Sequence, residues 1–85
     1  MKQSKEKDGR RMPLAAVRRT AGKTQTEVAE ASGFYQTEVS RMEKRTDMRL
    51  SSLRRYAAAL GAECEVTFVF PDTGDRIVLT EPEEA

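Results

Sequence analysis

The 85-residue sequence contains no histidine, no tryptophan and a single cysteine, Cys64. Without histidine the chain lacks the commonest general acid/base and the commonest neutral metal ligand. A lone cysteine makes neither a thiol–imidazole pair nor a zinc site. We therefore expect no catalytic residues, no metal and no cofactor. No apolar run approaches the roughly 18 to 20 residues of a membrane span, and the opening Met1–Asp8 is charged with no apolar stretch to serve as a signal peptide. The expectation is a cytoplasmic protein without membrane contact. A chain this short holds one domain at most, and with disulfide and metal removed as aids to stability, self-association is the one expected.

The formal net charge is only +1, but it is unevenly spread. Residues 1–55 hold 14 Lys/Arg against 7 Asp/Glu, giving +7, while residues 56–85 hold one Arg against 7 Asp/Glu, giving −6. Such a division suits a chain whose first part meets phosphates and whose last part does something else, although an uneven solvated surface has the same composition.

Residues 1–11 are polar, charged and aperiodic, and read as a flexible basic arm. Pro13 fits a first helical turn, and Leu14, Ala15, Val17 and Ala21 form an apolar stripe that Gly22 ends. Thr24-Gln25-Thr26-Glu27 matches a capping box, predicting a second helix to about Ser32 that buries Val28 and Ala29. Gly33 suits a left-handed turn and Phe34 an apolar plug. A third helix is predicted from about Gln36 to Lys44, with Val39 and Met42 inward and Tyr35 in place of a good cap. Leu50, Leu53, Ala57 and Leu60 recur at helical spacing, with Ser51 as the expected cap and Gly61 as the stop. The period then drops to two: Cys64, Val66, Phe68 and Phe70 share a face, Pro71–Asp75 is turn chemistry, and Arg76–Thr80 forms a second strand with Ile77 and Leu79 on one side. The predicted organisation is a mainly α domain over 12–61, a β-hairpin over 62–80 and an acidic tail over 81–85.

The second and third helices, joined by a glycine, form a pair in which small and apolar residues set the angle and polar ones remain outside. Such a pair can place its second member in a groove about 12 Å wide. The string Thr24-Gln25…Val28-Ala29…Gly33…Gln36…Val39-Ser40-Arg41…Glu43 resembles the Xre/Cro helix-turn-helix of phage repressors and bacterial regulators, over residues 13–61. The continuation Arg41–Arg45, Asp47–Tyr56 and Ala59-Leu60-Gly61, followed by strands, is similar to antitoxins of the HigA type. That resemblance implies a four-to-five-helix domain followed by the hairpin. It also implies a phosphate contact at Gln25 and base reading by Gln36, Thr37 and Arg41, with Glu38 and Ser40 flanking. Gln pairs with adenine, Arg with guanine, and Thr offers a hydroxyl or a methyl. Lys23, Thr24, Lys44 and Arg45 would add phosphate contacts, and Tyr35 departs from the family's small polar cap and becomes a candidate phosphate donor.

Each residue has a plainer reading. Gln36 and Thr37 would be ordinary solvent-facing residues outside this pattern. Glu38 either accepts from a cytosine amino group or pairs with Arg41 three residues on, and the pair is favoured. Arg54 and Arg55 read as an exposed face, Arg10 and Arg11 as a loose terminus before a minor-groove arm, Glu43 as a structural partner for a neighbouring helix, and Cys64 as a small buried hydrophobe. The hairpin presents Val66, Phe68, Phe70, Ile77 and Leu79, more than four short helices can cover, so we expect a homodimer joined through the strands. Two copies would then read a palindromic operator in double-stranded DNA, with half-sites about 34 to 36 Å apart. Three functions fit: a sequence-specific repressor, possessing as an antitoxin the further partner that the resemblance implies, a RelE/HigB-like toxin; a stand-alone phage or bacterial regulator; and a protein-binding module without DNA.

Overall fold

A computed structural model describes residues 10–80 and Pro82. The expected arm lies mostly, and the acidic tail apart from Pro82, outside the described residues. Among those described, four helices are followed by one hairpin: α1 Leu14–Thr20, α2 Gln25–Ser32, α3 Gln36–Lys44, α4 Leu50–Ala59, β1 Val66–Phe70 and β2 Asp75–Leu79.

Local chemistry explains the start of the helix pair. At α2 the Thr24 Oγ1 accepts from the Glu27 N–H at 3.1 Å, and the Glu27 carboxylate accepts from the Thr24 N–H at 2.8 Å, which closes the capping box. The Thr24 N–H holds the Glu27 carboxyl below its ordinary range. Gly33 ends α2 at φ +83°, a conformation that an L side chain resists, and its N–H closes back on the Ala29 carbonyl at 3.0 Å. The chain reverses there, and α3 packs across α2.

The core is small: Val28, Val39 and Tyr56 are sealed, Phe34 and Met42 nearly so, and Leu14, Ala29, Met48, Ala59 and Leu60 pack around them. Two expectations need correction. The apolar stripe of α1 does not seat Val17, which is 36% exposed; the buried member of that helix is Arg18. Helix α4 starts two residues early, at Leu50, so Arg49 rather than Ser51 occupies the cap position, with no side-chain cap bond, and Leu50 is left on the surface. Leu50 had matched the helical spacing, but its place in the first turn puts it beyond the packed part of the stripe.

The hairpin is antiparallel, pairing Val66 with Leu79, Phe68 with Ile77 and Phe70 with Asp75. These residues therefore share one face, and Thr67, Val69, Arg76 and Val78 share the other. The turn is Pro71–Gly74, with Asp75 already in β2. Neither strand packs closely on a helix. Val66 and Thr67 are half-buried, whereas Phe68, Phe70, Ile77 and Leu79 are exposed, as are Val69 and Val78 on the opposite face, so the helices leave most of the hairpin uncovered. Cys64 is half-buried rather than buried.

Candidate nucleic-acid interface

Helix α3 has two unlike sides. Val39 and Met42 are buried inward, whereas Tyr35, Gln36, Thr37, Arg41, Lys44 and Arg45 are exposed, and Glu38 and Ser40 are half-buried. Tyr35 is the extreme, at 79% exposure. The helix and its two cap residues thus present an amide, two hydroxyls, two guanidiniums and an ammonium to solvent from a backbone fixed beneath.

What fixes it is a polar cluster centred on Glu43, whose side chain is 5% exposed. Arg18 of α1 donates from Nε to Oε2 at 2.7 Å and from Nη2 to Oε1 at 3.2 Å. Gln25 of α2 donates from Nε2 to Oε1 at 2.9 Å, and the Tyr56 hydroxyl of α4 donates to Oε2 at 2.5 Å. Three helices therefore meet on one carboxylate of the fourth. Four donors satisfy its oxygens, the condition under which a buried charge is tolerable. Burial works against the charged form, but the bonds from Arg18, Tyr56 and Gln25 outweigh it and hold the carboxyl below its ordinary value. Burial, and then the bond to Glu43, push the Tyr56 phenol above its ordinary range, so it stays a donor. The structural role read for Glu43 is the one it has.

The start of α3 is capped differently from the expectation. Glu38 Oε1 accepts from the Tyr35 N–H at 2.8 Å, so its carboxylate turns back on its own helix terminus instead of pairing with Arg41. The reason is the helix terminus: Tyr35 supplies no side-chain cap, its N–H needs an acceptor, and a negative charge in the first turn also favours the helix dipole. Arg41 is thereby left pointing out. The tyrosine ring takes no part in that bond and remains at the surface.

At the start of α2, Lys23 and Thr24 are exposed. Gln25, which the resemblance assigns to phosphate, is half-buried and spends one amide hydrogen on Glu43, leaving the other. Beside α3 and the start of α4, a cleft of about 180 Å³ is lined by Arg41, Arg45 and Arg49 together with Phe34, Glu38, Met42, Met48 and Ser52. The structure thus gathers Lys23, Thr24, Gln25, Tyr35, Gln36, Thr37, Glu38, Ser40, Arg41, Lys44 and Arg45 on the α2–α3 pair. The hairpin residues Val66, Phe68, Phe70, Ile77 and Leu79 lie elsewhere.

Sequence reasoning missed Arg18 and Tyr56. Arg18 lies four residues after Leu14, on the same helical face, which is a usable signal. Tyr56 lies three residues after Leu53 and three before Ala59, in the apolar register of α4. Arg55 is exposed, as expected, but has two contacts that the sequence did not suggest: its Nη2 donates to the Ser32 carbonyl at 2.8 Å, and its guanidinium lies 4.1 Å from the centroid of the Phe34 ring.

No protein-family model and no curated protein matches the chain. Among solved structures it is similar to a DNA-bound antitoxin HigA3, with 29% identity and a TM-score of 0.72 over 89% of this chain and 99% of that one. It is also similar to a HigA antitoxin described for induced DNA bending by unique dimerization, with 30% identity and a TM-score of 0.70 over 84% of this chain and 92% of that one. With 30% identity to the second of these and nearly the whole of each relative spanned, the chain belongs to the HigA antitoxin family.

Proposed function

We propose that this chain is a non-enzymatic, sequence-specific DNA-binding repressor, the antitoxin of a type II toxin–antitoxin pair, which represses its own operon and neutralises a RelE/HigB-like toxin. The observation that carries the DNA reading is the two-sided α3: its inner side is locked by Val39, Met42 and Glu43 while Gln36, Thr37 and Arg41 face solvent together. The HigA relatives, one of them bound to DNA, support it.

In this reading α3 enters the major groove. Gln36, Thr37 and Arg41 meet base edges, with Ser40 beside them. The second oxygen of Glu38 can accept from a cytosine amino group. Lys23, Thr24, Gln25, Tyr35, Lys44 and Arg45 hold phosphates, which sets register without reading sequence. Two copies joined through the hairpin place two such helices on a palindrome.

The test is fluorescence anisotropy on duplex DNA from upstream of the gene and on a scrambled duplex of the same length. Gln36→Ala is expected to weaken the upstream duplex by about tenfold or more and the scrambled one hardly at all, since a bidentate base contact discriminates by roughly 1–3 kcal/mol. Both affinities should fall steeply with salt. Equal losses on the two duplexes would remove Gln36 from base reading, and no preference in the parent protein would remove the repressor. Co-purification with the product of a small neighbouring gene, and relief of that product's toxicity, tests the antitoxin role.

A further inference from the structure

The base-reading residues Gln36 and Thr37 sit in the first turn of α3, at the end farthest from Glu43. The Glu43 cluster fixes the other end. Val39 and Met42 seat the middle of the helix in the core, so the aim of its first turn depends further on how the Ser32–Phe34 turn that leads into it is held.

Arg55 is the side chain in position to do so. Its guanidinium donates from Nη2 to the Ser32 carbonyl at 2.8 Å, at the last residue of α2. The same plane lies over the Phe34 ring, 4.1 Å from its centroid, on the far side of Gly33. A Cβ at Gly33 would lie 3.4 Å from that Nη2, so the guanidinium follows the turn closely. Arginine, unlike lysine, offers a flat cation that stacks on a ring face while donating in its own plane. Its neighbour Tyr56 holds Glu43. Two consecutive residues of α4 thus grip the two ends of the unit that carries α3.

Building on the DNA-binding reading, we propose that Arg55 is a positioning residue for sequence recognition: it clamps the Ser32–Phe34 turn and thereby aims the first turn of α3 at the bases, without touching DNA itself. Loosening the clamp lets Gln36 and Thr37 drift from base edges, where hydrogen bonds are sensitive to small displacements. Phosphate contacts by long side chains tolerate the same drift. Specificity should therefore fall while general affinity for DNA is kept.

The experiment compares the parent chain, Arg55→Ala and Arg55→Lys on a duplex that the parent selects from a randomised pool and on a scrambled duplex, over a range of salt. Both variants should lose about tenfold in preference for the selected duplex, the worth of one good base contact, with unchanged affinity for the scrambled one and an unchanged salt slope. Lysine keeps the charge but not the flat fork, so a phosphate-binding role would be rescued by Arg55→Lys and a clamping role would not. Amide NMR spectra of the same proteins without DNA provide a second readout: resonance shifts should concentrate from Ser32 to Ser40. Equal weakening of both duplexes with a shallower salt slope, or unaltered preference with shifts confined to α4, would overturn the clamp. Should Arg55→Ala fail to fold, Arg55→Lys decides by the same criteria. A parent chain that selects no duplex would refute the DNA reading, and specificity control with it, while the NMR shifts would still report whether Arg55 holds the turn.

Discussion

At the scale of single residues, the main lesson is how much one carboxylate organises. Glu43 accepts from Arg18, Gln25 and Tyr56, drawn from the three other helices. Removing one partner of a buried ion pair leaves the other charge without compensation, at a cost of about 3 kcal/mol or more. Glu43→Gln should therefore lower the thermal midpoint by roughly 10–20 °C, given the 4–8 °C per kcal/mol typical of a domain this size. The pH dependence follows from the direction of the shift. The Glu43 carboxyl titrates lower in the folded chain than in the unfolded one, so its stabilisation is complete above the ordinary carboxylate value and is lost as pH falls through the lowered folded value. Urea titrations at pH 7 and at successively lower pH should show the parent losing stability below about pH 4.5, with that part of the slope missing in Glu43→Gln. Parallel acid slopes in the two proteins would show that Glu43 is not ionised and buried as described.

At the scale of elements, the parts of the fold legible in the sequence are those specified by near neighbours. Thr24 with Glu27 announces α2, Gly33 ends it, and the change of period near Cys64 announces the hairpin. What was not legible depends on residues far apart in the chain. Arg18 pairs with Glu43 across 25 positions, and Arg55 reaches Ser32 across 23. The place of Arg18 four residues after Leu14 marks it as inward-facing, but nothing local names its partner. The start of α4 was misplaced because serine looks like a cap wherever it stands near a helix start, whereas here the chain leaves its extended conformation at Arg49. For the interface, the exposed face of α3 was readable from Val39 and Met42, but the turn of Glu38 back to the Tyr35 N–H was not, because capping and the pair with Arg41 compete for the same carboxylate. The element most open to test is the Gly33 turn. Alanine there must adopt φ +83°, at a cost of about 1 kcal/mol or somewhat more, while asparagine tolerates that region better. Gly33→Ala should lower the urea midpoint clearly and Gly33→Asn by less. Equal stability in all three would mean that the turn relaxes to another conformation.

At the scale of the whole molecule, charge and apolar surface are separated in the same direction along the chain. The helices hold the basic excess and the Glu43 cluster, whereas the hairpin follows in the acidic part and has exposed Phe68, Phe70, Ile77 and Leu79 on one face, and Val69 and Val78 on the other. A two-stranded sheet alone is marginal in water, and neither strand of this one packs closely on a helix. Its apolar surface fits the proposal that a second copy covers it, and that same separation makes the proposal testable without disturbing the fold. Because Phe68 is 55% exposed and outside the helical core, Phe68→Asp should leave the helical circular dichroism and the Glu43-dependent stability intact. Sedimentation at micromolar concentration should then show a dimer for the parent and a monomer for the variant. Affinity for a two-half-site duplex should fall by orders of magnitude, because the second half-site is no longer bound as part of one particle. Binding to a single half-site should change little. A variant that remains dimeric, or binds the full site as the parent does, would place the contact between copies somewhere other than this sheet.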